Sequence, residues 1–498
     1  MIARRVLLAL ALLPLLGCGD PDLWARYQAE RGFWQARRMV ERIQVKPSLA
    51  SLADYQAAID AFAAVERRFP LREWAKPERV RSRRARDVAA TSGDALIAIG
   101  RIEESRQRYD RAAEVYASAA SDLIALPVVR LKALMAQAAL FDRTKDSTHA
   151  HQVFVEIART APAVDPDLDE PIEAAVQAPL RVAEELRHRG AFASADSLLL
   201  LAEERLLPEA TRRKGPGTGT LLWLNIGRLR AARTGALDSA LDAVRQALAQ
   251  AASRATRARL ILTLGEFCLE GGRPDSALVY TAWASRGFGN EATVSAMLLT
   301  AQVWESVDLD SAVAAYGRFI DRFRNRDPSV MAAKFRRAEL LEHQGLWLQA
   351  RAEFRGLATS SATDEYSLRA HERIVLHHLE AGEKEMARIE ANRAMEAMDH
   401  LLTTVQDDAT LLRIRQVRAQ ILLDVGSWEK ACAALQVLWS HYPNLELGAQ
   451  AGFRAAELAE RELRDPGRAR KLYEELATRS QNLADQAKAR RQLERMRS

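Results

Sequence analysis

The sequence predicts an all-α protein made of stacked helical hairpins, and three observations support this. Helix-forming residues dominate almost everywhere, and runs of Val, Ile and Thr typical of strands are absent. At 498 residues the chain exceeds one ordinary compact domain. A frame Gly-x4-Ala recurs between stretches of helical spacing. The glycine permits the left-handed turn that ends one helix, and the alanine lets the next helix approach closely. The frames begin at Gly190, Gly235, Gly272, Gly345, Gly382 and Gly426.

Residues 1–17 resemble a bacterial secretory signal. Two arginines precede the apolar stretch Val6–Leu16, which is too short to span a bilayer. The segment Leu-Leu-Gly-Cys that ends at Cys18 resembles the lipobox of bacterial lipoproteins. That resemblance implies cleavage before Cys18, a diacylglycerol on its sulfur, and usually an acylated amine. The alternative is an ordinary signal peptide that contains a cysteine.

The residues after Cys18 bear on localisation and on the first helix. Because Gly19 rather than an acidic residue follows the cysteine, the resemblance implies the periplasmic face of the outer membrane, with the inner membrane as the alternative. Asp20-Pro21 is a typical helix start. Only a couple of residues, roughly 7 Å of chain, separate the lipid from the fold, so we expect this end to lie against the membrane. We expect Trp24 and Tyr27 to pack in the core, with the lipid headgroup level as the alternative.

The repeating units resemble tetratricopeptide repeats, in which helix A, a turn and helix B pack through small residues. A clear unit has Leu96, Ile99 and Gly100 in helix A, and Ala112, Tyr116 and Ala119 in helix B. The resemblance implies a right-handed solenoid of about eleven hairpins, and another hairpin repeat such as the HEAT type is the alternative. Each unit has one anchor alanine near the start of helix B: Ala58, Ala112, Ala150, Ala195, Ala240, Ala277, Ala312, Ala350, Ala387, Ala431 and Ala469.

Two connectors rich in proline suggest how the array is divided. Residues 208–220 contain Pro and several Gly and should not continue a helix, so they predict a break between an N-terminal array, 18–207, and a C-terminal array, 221–498. Residues 162–171 form a second, acidic connector. The charged stretch Leu483–Met496 predicts the capping helix that a solenoid needs at its free end.

The sequence offers no catalytic or cofactor-binding motif. It contains no phosphate-binding loop, CxxC, HExxH or nucleophile elbow, and its nine histidines are scattered. Cys268 and Cys432 lie within helical patterns about four units apart, so we expect two buried free thiols. We therefore expect no enzyme activity, no cofactor, no metal site and no small-molecule substrate.

A basic cluster lies close in sequence to the expected lipid anchor. It spans 67–86 and contains only two glutamates. Anionic headgroups or an acidic partner are possible ligands, and a solvated face is the alternative. Nucleic acid is disfavoured because the leader exports the chain. The residues of greatest interest are Arg79, Arg81, Arg83 and Arg84.

The tetratricopeptide resemblance implies that helix A residues line a concave binding face. The candidate partner-binding residues are Arg259, Glu266, Glu339, Glu342, Arg413 and Gln416. Charged and amide groups of this kind can hold an extended peptide or a partner helix, and simple solvation is the alternative. The sequence thus favours a lipid-anchored scaffold that binds envelope proteins or peptides. A peptidoglycan- or glycan-binding accessory module of the cell wall is the alternative function.

Overall fold

The computed structural model describes residues 21–45, 50–160, 169–287, 290–324, 327–360, 363–443, 445–480 and 482–496. The leader and Cys18 lie outside the described residues. Within these ranges the chain forms 24 helices and no strand. The helices divide between two compact units, residues 1–162 and 163–498, called unit 1 and unit 2.

Unit 1 contains three hairpins, with one short extra helix between the first and the second. Its helices are α1 (Pro21–Val45), α2 (Leu52–Arg68), α3 (Leu71–Trp74), α4 (Arg83–Ser105), α5 (Tyr109–Asp122), α6 (Pro127–Arg143) and α7 (Ser147–Thr160). The hairpins are α1–α2, α4–α5 and α6–α7. Helices α1 and α6 both pack on α4, so the three A helices lie side by side.

Unit 2 contains eight hairpins and a final helix. Its helices are α8 (Asp169–His188), α9 (Phe192–Arg212), α10 (Thr218–Ala231), α11 (Leu237–Gln250), α12 (Arg254–Glu270), α13 (Pro274–Gly287), α14 (Asn290–Glu305), α15 (Leu309–Phe323), α16 (Ser329–His343), α17 (Trp347–Ser360), α18 (Glu365–Glu380), α19 (Lys384–Thr404), α20 (Asp408–Asp424), α21 (Trp428–His441), α22 (Glu446–Arg461), α23 (Pro466–Arg479) and α24 (Leu483–Arg495). Even-numbered helices from α8 to α22 are A helices, and the following odd-numbered helices are their B partners. Helix α24 packs on α23 as the predicted cap.

The helix packing confirms the predicted all-α stack of about eleven tetratricopeptide-like hairpins. Within each unit, the two helices of every hairpin pack on each other and on the next hairpin, and A helices pack on neighbouring A helices, as in the pairs α8–α10, α12–α14, α16–α18 and α18–α20. All eleven anchor alanines are fully buried, with 0% exposure. A larger side chain at these crossings would force the two helices apart, so the recurrence of alanine follows from packing.

The six predicted turn glycines all adopt left-handed backbone, with φ between +68° at Gly426 and +77° at Gly345 and Gly382. A Cβ added at Gly382 would meet no atom within 4 Å. The glycine is therefore needed for its backbone conformation and not for space.

Glycines inside helix A have a different role. A Cβ on Gly100 would lie 2.3 Å from the ring of Tyr116 on helix α5. Tyr116 is fully buried, and its hydroxyl donates a hydrogen bond of 2.6 Å to Glu104. Unit 2 repeats this contact between Tyr316 and Glu305, also at 2.6 Å. The tyrosine thus packs against one helix A position and hydrogen-bonds to another.

The region 208–220 differs from the prediction. Helix α9 continues through Pro208 to Arg212, so the connection to α10 is only 213–217. Side chains also bridge this region, since Glu203 pairs with Arg230 and Arg233. Proline removes one backbone donor, but helix packing on both sides outweighs that loss. The division between compact units falls instead at 162/163, within the acidic connector.

Two further sequence expectations concern individual side chains. Cys268 and Cys432 are buried free thiols, as expected, and burial raises the pKa of both. The expected core packing of Trp24 and Tyr27 is wrong, since these side chains are 57% and 52% exposed. The buried face of α1 is formed instead by small and apolar residues such as Ala29 and Ala36.

Candidate functional site

The solvent-facing side of the A helices in unit 2 carries two grooves, and we call this surface the helix-A face. The first groove lies between α10, α12 and α14 and has a volume of about 540 Å³. Its apolar part comes from leucines of α10 and α12, and its polar part includes Thr256, Arg259 and Glu291. A guanidinium and a carboxylate above an apolar floor can bind both the side chains and the backbone of a peptide.

The second groove lies between α20 and α22, with a volume of about 410 Å³. Helices α20 and α22 make little contact with each other, and helix α21 lies beneath the space between them. Leu435 and Leu438 of α21, together with Leu423 and Leu447, form its apolar floor. Such a floor favours an apolar side chain of a partner by removing apolar surface from water.

A row of amide and charged groups forms the wall of the second groove. Gln420 donates to Asp424 over 2.6 Å, and Arg454 donates to the Gln420 side-chain oxygen over 3.3 Å. Gln450 of α22 donates to Glu446 over 3.1 Å. These bonds fix the direction of each amide, so the wall presents oriented donors and acceptors to a ligand.

Two carboxyl groups belong to this groove, because Glu372 lines it and Asp424 accepts the hydrogen bond of its Gln420. Burial raises the pKa of Asp424, and its hydrogen bond with Gln420 opposes that rise only in part. Burial also raises the pKa of Glu372 on α18, and the neighbouring Asp424 carboxylate adds to the rise. A cationic or amide-rich ligand would relieve both effects, because it would supply opposite charge or hydrogen-bond donors to the carboxylates.

The structure places four of the six predicted partner-binding residues where a ligand can reach them. Arg259 lines the first groove and Gln416 lines the second. Glu266 is exposed on the same helix as Arg259. Partial desolvation of its carboxyl group raises its pKa, and the nearby charge of Glu270 adds to the rise. Arg413 is exposed on α20. The pKa of Asp407 is lowered mainly by its hydrogen bonds with Thr410, and the charge of Arg413 adds to this effect.

The other two predicted residues take part in ion pairs with arginines of the A helices. Glu342 accepts two bonds from Arg373, of 2.7 and 2.8 Å, and lies 2.6 Å from His377 Nδ1. Glu339 accepts a bond of 3.0 Å from Arg336, whose guanidinium also binds Glu305. The Glu342 contacts and the Arg336–Glu305 pair join successive A helices, whereas the Glu339–Arg336 pair lies within α16.

Most of the second groove was not predicted from the sequence. Glu372, Gln420, Asp424, Gln450 and Arg454 are absent from the predicted binding residues. A signal was present, because Gln416, Gln420 and Asp424 follow one another at intervals of four, as do Glu446, Gln450 and Arg454. Polar residues at that interval form one stripe along a helix. The separation of α20 and α22, which turns two stripes into a groove, depends on packing and has no such signal.

The basic cluster is mostly exposed, and its Arg79 lies beside the start of α1. The Arg79 guanidinium stacks 3.7 Å from the ring centre of Trp74 and lies 3.8 Å from the Asp22 carboxylate. Arg81 and Arg83 are exposed, and Arg84 is partly buried. The fold therefore brings the cluster next to the first helix of the chain, although about 50 residues separate them in sequence.

No group of three or more His, Cys, Asp or Glu side chains in the described ranges is arranged to hold a metal ion. Among the helices that the structure describes, none has the length and apolar character needed to cross a membrane.

Comparison with known proteins gives only distant similarities. No family model matches the chain, and no curated protein matches it. It is similar to the crystal structure of a tetratricopeptide repeat protein from Parabacteroides merdae, with 14% identity, 57% of this chain and 100% of that chain covered, and a TM-score of 0.28. It is also similar to yeast Tom70, at 12% identity, coverages of 81% and 95%, and a TM-score of 0.28. The apo quorum sensor NprR from B. thuringiensis is similar at 13% identity, coverages of 69% and 96%, and a TM-score of 0.30. These scores are low, and the fold assignment rests on the hairpin packing described above.

Proposed function

We propose that this protein is a lipid-anchored scaffold of the bacterial cell envelope that binds protein partners through the helix-A face of unit 2. The leader and the lipobox-like segment support anchoring through Cys18 at the periplasmic face of the outer membrane. The stacked hairpins of unit 2 support a scaffold, because an array of this kind presents an extended surface.

The observation that carries the proposal is the second groove. It combines an apolar floor of leucines with an ordered wall of amides and two carboxyl groups of raised pKa. An extended segment of a protein partner meets all of these features, since it has apolar side chains, backbone hydrogen-bonding groups and the option of a basic residue.

A crosslinking pull-down of the lipidated protein from its native envelope tests this function. We expect Glu372→Lys combined with Asp424→Lys to reduce recovery of specific envelope proteins by roughly tenfold or more, because it reverses the charge of the groove. The matched control is Glu385→Lys with Glu396→Lys, which makes the same charge change on exposed positions of helix α19. The control should recover the same partners as the wild type.

Three results would count against the proposal. Equal recovery by the groove variant and its control would remove the groove as the binding site. Recovery of peptidoglycan without protein partners would favour a wall-binding module. A parallel Cys18→Ser sample tests the anchor, since it should lack the acyl mass that the wild type carries, and mass spectrometry that shows an unmodified Cys18 in the wild type would contradict lipid anchoring.

A further inference from the structure

The outward face of helix α1 carries aromatic and arginine side chains that the described residues leave exposed. Trp24, Tyr27 and Trp34 are 57%, 52% and 54% exposed. Arg31, which lies between Tyr27 and Trp34, and Arg38, which follows Trp34, are also exposed. The intervals from Trp24 to Arg38 are three, four, three and four residues, so all five side chains lie on one stripe of the helix.

The opposite side of α1 is already occupied. Ala29 and Ala36 are fully buried there, and α1 packs on both α2 and α4. The Arg26 guanidinium also pairs with Asp87 of α4 at 3.0 Å. The helix is thus held in place by unit 1, and its aromatic stripe faces outward as a fixed surface.

The aromatic rings are ordered relative to their neighbours. Trp24 and Tyr27 stack with ring centres 5.5 Å apart. The Arg37 guanidinium lies 4.9 Å from the ring centre of Trp34. Exposed large aromatic side chains in a contiguous group are uncommon on monomeric proteins and mark contact sites.

We propose that this stripe lies flat on an anionic lipid surface, with its rings at the headgroup level. Tryptophan and tyrosine concentrate at that level because each ring has a large apolar body and a polar group. Arginines between the rings match the negative charge of the headgroups. Aromatic residues and arginine are also enriched at protein–protein interfaces, so the choice of lipid as the occupant rests on net charge and on position along the chain.

Charge and position along the chain both favour lipid as the occupant. The exposed arginines of α1 are Arg31, Arg37, Arg38 and Arg42, and its solvent-accessible glutamates, Glu30 and Glu41, pair with Arg26 and Arg37. The basic cluster adds further positive charge near the start of the helix, where Arg79 meets Asp22. This inference rests on the proposed envelope location, since the acyl chains expected at Cys18 would hold α1 within a few residues of the bilayer.

Vesicle flotation with the mature Cys18→Ser chain tests the stripe without any acyl group. We expect this chain to bind vesicles of phosphatidylcholine mixed with phosphatidylglycerol, and to bind pure phosphatidylcholine several-fold less. Trp24→Ala, Tyr27→Ala and Trp34→Ala together should reduce binding to the anionic vesicles by roughly tenfold or more. Arg31→Glu with Arg38→Glu should abolish the preference for anionic lipid, as should high salt.

The matched control is Trp283→Ala with Trp428→Ala. These tryptophans of unit 2 are also exposed, at 45% and 37%, but they lie on B helices. The control should bind vesicles as the wild type does, and circular dichroism should show equal helix content in all variants. Equal binding by the triple variant and the control would overturn the proposal.

Two further outcomes separate this inference from its alternatives. Absence of binding to either vesicle would overturn the lipid contact while leaving the pull-down through the groove untouched. A dimer that the triple variant converts to a monomer, measured by light scattering without vesicles, would show that a second copy of the chain covers the stripe and would also overturn the proposal.

Discussion

In six hairpins of unit 2, the turn from helix A to helix B places a glycine in left-handed backbone. In the α4–α5 and α6–α7 turns of unit 1, Gln107 and Lys145 adopt this left-handed backbone instead, with φ of +57° and +60°. The hydrogen bonds are the same. Asp146 N–H bonds to the Phe141 carbonyl at 2.9 Å, and Glu383 N–H bonds to the His378 carbonyl at 2.7 Å. Both follow the six-to-one pattern that closes a helix before a left-handed residue.

The comparison shows that the usual turn combines a residue in left-handed backbone with a small residue five positions later. Glycine adopts left-handed backbone at the lowest cost, but other residues also occupy this position. Gln107 and Lys145 each precede a fully buried anchor alanine, Ala112 and Ala150, by five residues. Unit 2 also has exceptions. Arg464 precedes Ala469 with φ of +51°, and the turn before Ala312 uses Asp308 as an N-cap instead. Unit 1 thus keeps the geometry at a higher local cost in free energy.

The two units also differ in how they hold a buried glutamate, and this difference predicts the largest effect on stability. Glu103 in unit 1 and Glu203 in unit 2 are both 6% exposed. The nearest guanidinium nitrogens of Arg106 and Arg108 lie 3.7 and 3.9 Å from Glu103. Those of Arg230 and Arg233 both lie 2.7 Å from Glu203.

Glu203→Gln should therefore destabilise its region by about 3 kcal/mol, because it leaves two guanidinium groups without their carboxylate. Glu103→Gln should cost about 1 kcal/mol, since less is lost from a loose ion pair. Native-state hydrogen exchange followed by mass spectrometry can measure each effect locally, in α9–α11 and in α4–α5. Glu204→Gln, at an exposed neighbouring position, is the control and should have almost no effect. Equal losses for Glu103 and Glu203 would show that burial alone sets the cost.

The crossing of helices A and B at Gly100 of unit 1 is tighter than the crossing at Gly265 of unit 2, and this predicts the next largest effect. Gly100 and Gly265 both lie 12 residues before their anchor alanines. A Cβ on Gly100 would meet the Tyr116 ring at 2.3 Å, whereas a Cβ on Gly265 would first meet Leu299 at 3.2 Å. Gly100→Ala should cost about 2 kcal/mol through overpacking. Gly265→Ala should be close to neutral, because the gain in helix propensity offsets the contact.

A double-mutant cycle distinguishes overpacking from other causes of that loss. In a Tyr116→Leu background the ring is gone, so Gly100→Ala should cost less than it does in the wild type, by about 1 kcal/mol or more. Hydrogen exchange in α4 and α5 measures both steps. An unchanged cost of Gly100→Ala in the two backgrounds would contradict the idea that the Tyr116 ring limits the approach of the helices.

The sequence was sufficient to predict the fold, since it showed helical spacing, eleven anchor alanines and a polar last helix, and all of these are present. It was less informative about surfaces. Trp24 and Tyr27 recur at helical spacing, which is equally typical of a buried stripe and an exposed one, and only the packing of Ala29 and Ala36 decides between them. Likewise, the charge of Glu342 indicated a binding residue, but an arginine on the next A helix, 31 residues later, accounts for it.

The turn comparison itself predicts the smallest effects, with opposite signs in the two units. Gly382→Ala should cost about 1 kcal/mol, because alanine must adopt left-handed backbone although space is free around it. Lys145→Gly should stabilise α6–α7 by about 0.5 kcal/mol, since relief of the left-handed strain exceeds the extra entropy that glycine gives to the unfolded chain. Lys145→Ala is the matched control, because it removes the same exposed side chain and keeps the strain. If hydrogen exchange in α6–α7 responds equally to Lys145→Gly and Lys145→Ala, the side chain and not the backbone conformation sets the stability of this turn. The turns of the two units would then have similar backbone strain despite their different residues.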